Sequence, residues 1–373
     1  MKIINKKERC VMSIKIQMNE TKKGMEQLRI YLRGESKTGK STLFRDMILE
    51  KYNGDASKGL LCQIGNETGA NFLSDLQTTH IDNYKDLIEL QKLLITGKGK
   101  EHNIEMVCFD TIDEITEIFE KEVCRLSQIE TGKVCKSINS AYSGYGMGME
   151  KTKSLMKSYF TKLHRAGFGI FCISHSKVKN IKPKGCNEDE SYMVLSSSLS
   201  NAYNSVFEDI FDAILTITVE RNVVDGKIEN TERRLYFRSD GYVMGGCRFN
   251  NKVIPQYITI NDDSRQFARD FINTLEDAMK NSSSTPLTQE QFKQLQKEEK
   301  KQAEKDLKQV QQEVEQQEKE EEKVSLDELK SQLKDKLKTT ENKNIVKDYM
   351  KEKGVKSVAS LDAEQLTEVL ALL

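Results

Sequence analysis

The sequence predicts an α/β fold: a central, mostly parallel sheet with helices on both faces, then a long charged helix and a small C-terminal helical unit. Three observations predict it. Short apolar runs recur between residues 28 and 175, separated by helical stretches such as 82–94 and 149–166. Apolar strands alternating with helices imply a parallel sheet covered on both sides. The first run leads into a glycine-rich loop and a helix. Beyond residue 280 the composition shifts to Glu, Gln and Lys, with neither Gly nor Pro from 288 to 340.

The elements follow in order. Leu28-Arg29-Ile30-Tyr31-Leu32 is the first strand, and 41–49 the helix after it. Between them Gly34, Glu35, Ser36, Lys37, Thr38, Gly39, Lys40 and Ser41 spell G-x-x-x-x-G-K-S, the phosphate-binding P-loop, with Thr42 continuing the helix. The glycines let successive backbone N–H groups converge on one anion, and the helix adds its positive N-terminal end. Lys40 would reach the β- and γ-phosphates of ATP, and the Ser41 hydroxyl would ligate Mg²⁺. The second strand, 59–65, ends at Gly65-Asn66-Glu67-Thr68-Gly69. Glu67 stands there either as a base or water-orienting group for hydrolysis or as a turn glutamate. The third, 105–110, ends in Asp110, the acid expected to face the Mg²⁺ water shell. Asp113 and Glu114 read as a solvated helix start. The fourth, 167–175, ends in Ser174-His175, placed to sense the γ-phosphate or simply to end a strand. Segments 212–220 and 232–238, joined through Val224-Asp225-Gly226, read as an antiparallel extension.

Taken in this order, residues 34–42, Glu67, Asp110-Thr111 and Ile173-Ser174-His175 resemble a RecA-like ATPase core. The segment Tyr142-Ser143-Gly144-Tyr145-Gly146-Met147-Gly148-Met149, a helix, and then 163–175 resemble the phage nucleotide-binding proteins of the Sak-four-like type, RecA-like single-strand annealing proteins. The likeness covers about residues 24–275. It implies an ATPase of phage or prophage DNA recombination that self-associates into a ring or filament. It also implies catalytic roles for Lys40, Glu67 and His175, nucleotide and Mg²⁺ contacts at 34–42 and Asp110, and Arg248 as a residue completing a neighbour's site.

Single-stranded DNA contact is expected from the loop after the fourth strand. Lys177, Lys179, Lys182 and Lys184 would meet phosphates there and Tyr192 a base, although Glu188, Asp189 and Glu190 interrupt the patch. Segment 196–200 reads as a second flexible contact. The alternatives are a P-loop switch acting through protein contacts, such as a helicase-loader-like accessory, and a nucleotide-binding scaffold with poor hydrolysis.

Composition sets the remaining bounds. Lys plus Arg and Asp plus Glu are 58 each, so no global field points to nucleic acid or membrane, and a local basic groove stays open. No apolar run nears the roughly 20 residues of a membrane span. The start of the chain lacks a signal-peptide core. The expected location is the cytoplasm of a bacterial host. Eight cysteines contain no C-x-x-C pair, and Cys62, Cys108 and Cys172 sit in apolar runs, so reduced thiols are expected.

The chain therefore divides into an N-terminal extension (1–23), an ATPase core (24–279), a linker (280–287), a charged helix or tether (288–341) and a helical module (342–373). That module is a candidate dock for a single-strand-binding protein or nuclease. Within the long helix, Ala303, Leu307, Val310 and Val314 fall at 4-3-4 spacing, too few heptads for a coiled coil.

Overall fold

The computed structural model describes residues 24–373 other than 183–184, 186–190, 225–226, 250–251, 283–286, 338–339, 356 and 373. The expected N-terminal extension, the hairpin turn after Val224, most of the linker, Lys184 and Glu188–Glu190 lie outside the described residues.

The core is a parallel sheet extended by antiparallel strands. In chain order it runs β1 (Arg29–Gly34), α1 (Lys40–Lys51), β2 (Gly59–Ile64), β3 (Gln77–Ile81), α2 (Tyr84–Gly97), β4 (Met106–Asp110), α3 (Ile112–Thr131), α4 (Met147–Arg165), β5 (Gly169–Ile181), β6 (Tyr192–Ser197), α5 (Asn201–Ile210), β7 (Ala213–Val224), β8 (Lys227–Tyr236), β9 (Gly246–Cys247), β10 (Tyr257–Ile260) and α6 (Ser264–Asn281). The strand order is β10-β8-β7-β1-β5-β4-β2-β3, with β6 added to β5 and β9 to β7. All pairings from β7 to β3 along that order are parallel.

Strand periodicity divides the core in two. Successive residues face opposite sides of a sheet. Tyr31, Val107, Phe109, Ile170 and Cys172 therefore join one cluster under α2–α5. Ile30, Leu32, Met106, Cys108, Phe171 and Ile173 join the other, under α1 and α6. In the first cluster Phe109 meets Phe160 edge-on, with ring centroids 5.4 Å apart.

Three elements differ from the sequence expectation. The fourth strand does not end at His175. It continues to Ile181 and returns as β6, pairing Ser176 with Ser197 and Ile181 with Tyr192. Lys177 and Lys179 thus stand on a strand, because residues 176–181 find an antiparallel partner in β6. Segment 196–200 is structured rather than flexible: Ser196 and Ser197 are buried, and Ser200 caps α5. Strand β3, with the sequence Gln-Thr-Thr-His-Ile, is a mostly exposed edge and has no apolar run to announce it.

The charged helix α7 (Gln289–Lys336) is docked on the core through residue 317 rather than being a free tether there. A Thr288–Gln291 capping box starts it. Phe292 enters the second core cluster, and Leu307, Val310 and Val314 pack against the first. Gln311 Nε2 donates to the Ile95 carbonyl at 2.8 Å, and Arg165 pairs with Glu313 at 3.3 Å. The exposed ion pairs contribute little; the apolar stripe, at about 1.5–3 kcal/mol per fully buried side chain, holds the helix down. Further along, Leu329, Leu333 and Leu337 of α7 pack with α8 (Thr340–Glu352) and α9 (Ala363–Ala371) around Val346, Tyr349, Leu361, Leu366 and Val369.

Replacing Val310 by Asp would bury an unpaired charge. Denaturant unfolding should show a loss of about 3 kcal/mol or more, whereas Gln312→Ala on the exposed face should stay within about 0.5 kcal/mol.

Candidate active site

The site is assembled where β1 and β4 end on either side of β5. Gly34 pairs with His175 across β1 and β5, and Asp110 pairs with Ile173 and Gln63. Groups far apart in sequence are thereby set around one cleft of about 560 Å³.

After β1 the chain turns through left-handed Lys37 (φ 64°) and Gly39 (φ 92°). Thr38 Oγ1 donates to the Glu35 carbonyl at 2.8 Å and closes the turn. A Cβ on Gly34 would stand 3.0 Å from Thr38 Oγ1 and 3.3 Å from Ile217 Cβ, so a larger residue would press on both. Helix α1 opens with no side-chain cap and no acid in its first turn, which leaves its first amides for an anion.

Lys40 is buried, and its Nζ donates to the carbonyls of Gly34 (3.0 Å) and Glu35 (2.7 Å). Burial pushes its pKa down, against the pull of Asp110 and Glu67. Ser41 Oγ donates to Asp110 Oδ2 at 2.5 Å. Burial holds the Asp110 carboxyl above the usual carboxylate range, with the Ser41 hydrogen bond opposing it. A hydroxyl and a carboxylate side by side are hard oxygen donors suited to Mg²⁺. Among the described residues no cluster of three or more His, Cys, Asp or Glu could hold a metal alone, so the ion would depend on nucleotide phosphates for its remaining ligands.

Glu67 and His175 both line the cleft. Glu67 Oε1 accepts the Gly69 amide at 3.1 Å. His175 Nδ1 lies 3.4 Å from Ser36 Oγ. Two further residues bear on the cleft without a signal in the sequence. Asp113, expected to be solvated, accepts the His175 amide at 3.1 Å through Oδ2 and the Ser198 hydroxyl through Oδ1. It ties the end of β4 to β5 and to the segment after β6. Its partners are a backbone amide and a distant serine, and no local pattern announces them. Phe72, 91 % exposed, lines the same cleft as an unstacked aromatic.

Other candidates stand apart. Arg248 Nη1 lies 3.3 Å from Asp212 Oδ1, and Nη2 donates to the Asp209 carbonyl at 2.5 Å. Asp212 also holds Arg29, at the start of β1, so Arg248 is at the opposite end of the sheet from its own P-loop. Lys179 Nζ donates to Leu199 O (2.8 Å) and Asn201 Oδ1 (3.1 Å) and is engaged within the fold. Lys177 and Lys182 are not buried.

Residues 26–249, more than half the chain, match the family described as AAA domain. The chain belongs to the AAA domain family. It is thus a P-loop ATPase, and the matched span of this AAA domain contains Lys40, Glu67, Asp110, His175 and Arg248. Among solved structures, a KaiC-like protein from the hyperthermophilic archaeon Pyrococcus horikoshii OT3 is similar at 11 % identity and a TM-score of 0.33, over 63 % of this chain and 90 % of that one. No curated protein matches the chain. Among the described residues no helix is long and apolar enough to cross a membrane.

Because the folded state takes up a proton at Asp110 more readily than the unfolded state, the ionised carboxylate costs stability at neutral pH. That cost fades as pH falls through the raised pKa. Asp110→Asn should therefore raise the nucleotide-free melting temperature at pH 7, by more than it does at pH 4. ATP hydrolysis should fall about 100-fold or more in the same variant.

Proposed function

We propose that this AAA domain protein hydrolyses ATP to cycle on and off single-stranded DNA, as a recombinase or annealing factor of the Sak-four-like phage type. The observation that carries the reading is the continuity of β5. It runs from His175 at the nucleotide cleft into Lys177 and on towards Lys182, paired with a β6 that opens on the exposed Tyr192. Lysines on phosphates and an aromatic on a base are the chemistry of sequence-tolerant single-strand binding.

In this reading the α1 amides and Lys40 hold the β- and γ-phosphates, and Ser41 with Asp110 holds Mg²⁺. Magnesium supplies charge neutralisation of the phosphate oxygens. Glu67 orients or deprotonates the attacking water. His175 senses the γ-phosphate, and Asp113 carries that state to the β5–β6 hairpin through the His175 amide and Ser198. Phe72 offers a face to the base. Protomers assemble in a ring or filament, and Arg248 would have to leave Asp212 to serve a neighbour's site.

A second reading, a switch acting on protein partners such as a helicase-loader-like accessory, is favoured by α7. That helix leads from the core into a separate apolar cluster with α8 and α9, which suits a docking module for a single-strand-binding protein or nuclease.

Steady-state hydrolysis with and without single-stranded DNA tests the first reading. Stimulation by DNA is expected, with loss of turnover in Lys40→Ala and in Glu67→Gln. Lys40-dependent hydrolysis that DNA leaves unchanged would favour the protein-docking switch. Independently, Lys177→Ala should weaken DNA binding and lower the slope of log K against log salt by about 0.7, as removal of one phosphate contact does.

A further inference from the structure

At the end of the sheet opposite the nucleotide cleft, α7 crosses the segments that lead into β2, β4 and β5 and forms with them a cavity of about 510 Å³. Lys58 stands just before β2, Glu105 just before β4, and Gly167 two residues before β5. The volume falls in the range of small-molecule sites, roughly 300–1,000 Å³.

Five lysines line this cavity against three glutamates. Lys58, Lys98 and Lys100 come from the core, and Lys300 and Lys308 from α7. The glutamates leave most of that charge unmatched. Glu26 Oε2 lies 3.7 Å from Lys51 Nζ, a lysine outside the lining. Glu105 is shared between Lys98 Nζ at 3.3 Å and Lys300 Nζ at 3.8 Å. Glu304 alone is left for Lys58, Lys100 and Lys308, and among the described residues these three form no ion pair. Lys98 is fixed in place. Its side chain is 14 % exposed, its Nζ donates to the Gly167 carbonyl at 2.7 Å, and it stands 4.1 Å from the centroid of the Phe168 ring. An ammonium held in this way has little side-chain entropy left to lose when an anion binds beside it. Ala303 and Leu307 of α7 add an apolar wall.

We propose that this cavity binds a small phosphate-bearing anion of at least two negative charges, held between the lysines of the core and those of α7. Lysines act on phosphate as point charges, and lysines converging from two sides match a compact polyanion whose oxygens face several ways. A cavity of this volume, walled on one side by α7, fits a small molecule rather than a nucleic-acid strand. The bound anion fastens α7 to the segments before β2, β4 and β5. The far ends of β4 and β5 lead to Asp110 and His175, so the site is separate from the P-loop and lies behind it.

Inorganic diphosphate is the probe, titrated calorimetrically into the full-length protein after ADP has filled the P-loop. One saturable site per chain is expected. The double substitution Lys300→Ala with Lys308→Ala should weaken it about 10-fold or more, as loss of two charge-assisted contacts does. Lys301→Ala with Lys305→Ala, on the same helix but outside the lining, should leave it unchanged. All four side chains are exposed, so neither double variant disturbs the core. Hydrogen exchange should slow across residues 300–311 on adding diphosphate to the wild type, and should not respond in the Lys300→Ala, Lys308→Ala protein. Failure of diphosphate to saturate the wild type would overturn the proposal. So would equal weakening in the two double variants, the mark of diffuse attraction to a basic helix. A single-stranded oligonucleotide that loses affinity in the first double variant while diphosphate does not would overturn it as well.

Discussion

The parallel pairing of β1 with β5, and of β5 with β4, is the constraint on which the nucleotide cleft depends. Register sets Gly34 beside His175 and holds Asp110 next to β5, so the turn, the acid and the histidine emerge at one edge. The Ser41–Asp110 hydrogen bond then joins α1 to β4 across the same edge. Shifting β5 by one residue would turn Cys172 and Ile173 to the wrong core clusters, which is why the apolar alternation and the site geometry cannot vary separately.

The cleft keeps charge in places that cost stability. Lys40 is satisfied by carbonyls of its own loop, and Asp110 by a hydroxyl. A bound nucleotide and its cation would replace those stand-ins with full charges. Behind the cleft, β1 is braced by further buried polar contacts. Arg33 Nη2 donates to the Met244 carbonyl at 2.6 Å, the Tyr31 hydroxyl to Asn204 at 3.1 Å, and Ser174 lies 3.1 Å from Ser197. The brace is only part-satisfied, because Arg33 Nε and Nη1 are buried without a hydrogen-bond partner. Asp113 links the edge of the cleft to the β5–β6 hairpin through the His175 amide and the Ser198 hydroxyl.

Helix α7 shows how a polar composition conceals a docking role. Its mean character is that of a solvated helix, yet four positions at 4-3-4 spacing suffice to seat it, with Ala303 against Gly167 and Val310 and Val314 in the core. A one-sided stripe needs only one apolar surface to bury against, and the face under α2 and α4 supplies it.

What the sequence by itself determined is what adjacent residues can specify. The P-loop, the strand before it, the helix after it and the acid ending β4 are local patterns whose chemistry demands their spacing, and the alternation of strands and helices was enough to state the parallel core. Tertiary structure decided the rest. The reach of β5 needed β6 as a partner, and β3 exists only because β2 offers an edge. Arg248 is held by Asp212 at the far end of the sheet, and Asp113 by His175 and Ser198. Each of these is a pairing between distant residues or across a loop, and its free energy depends on the geometry of the partner, which a single run of residues does not contain.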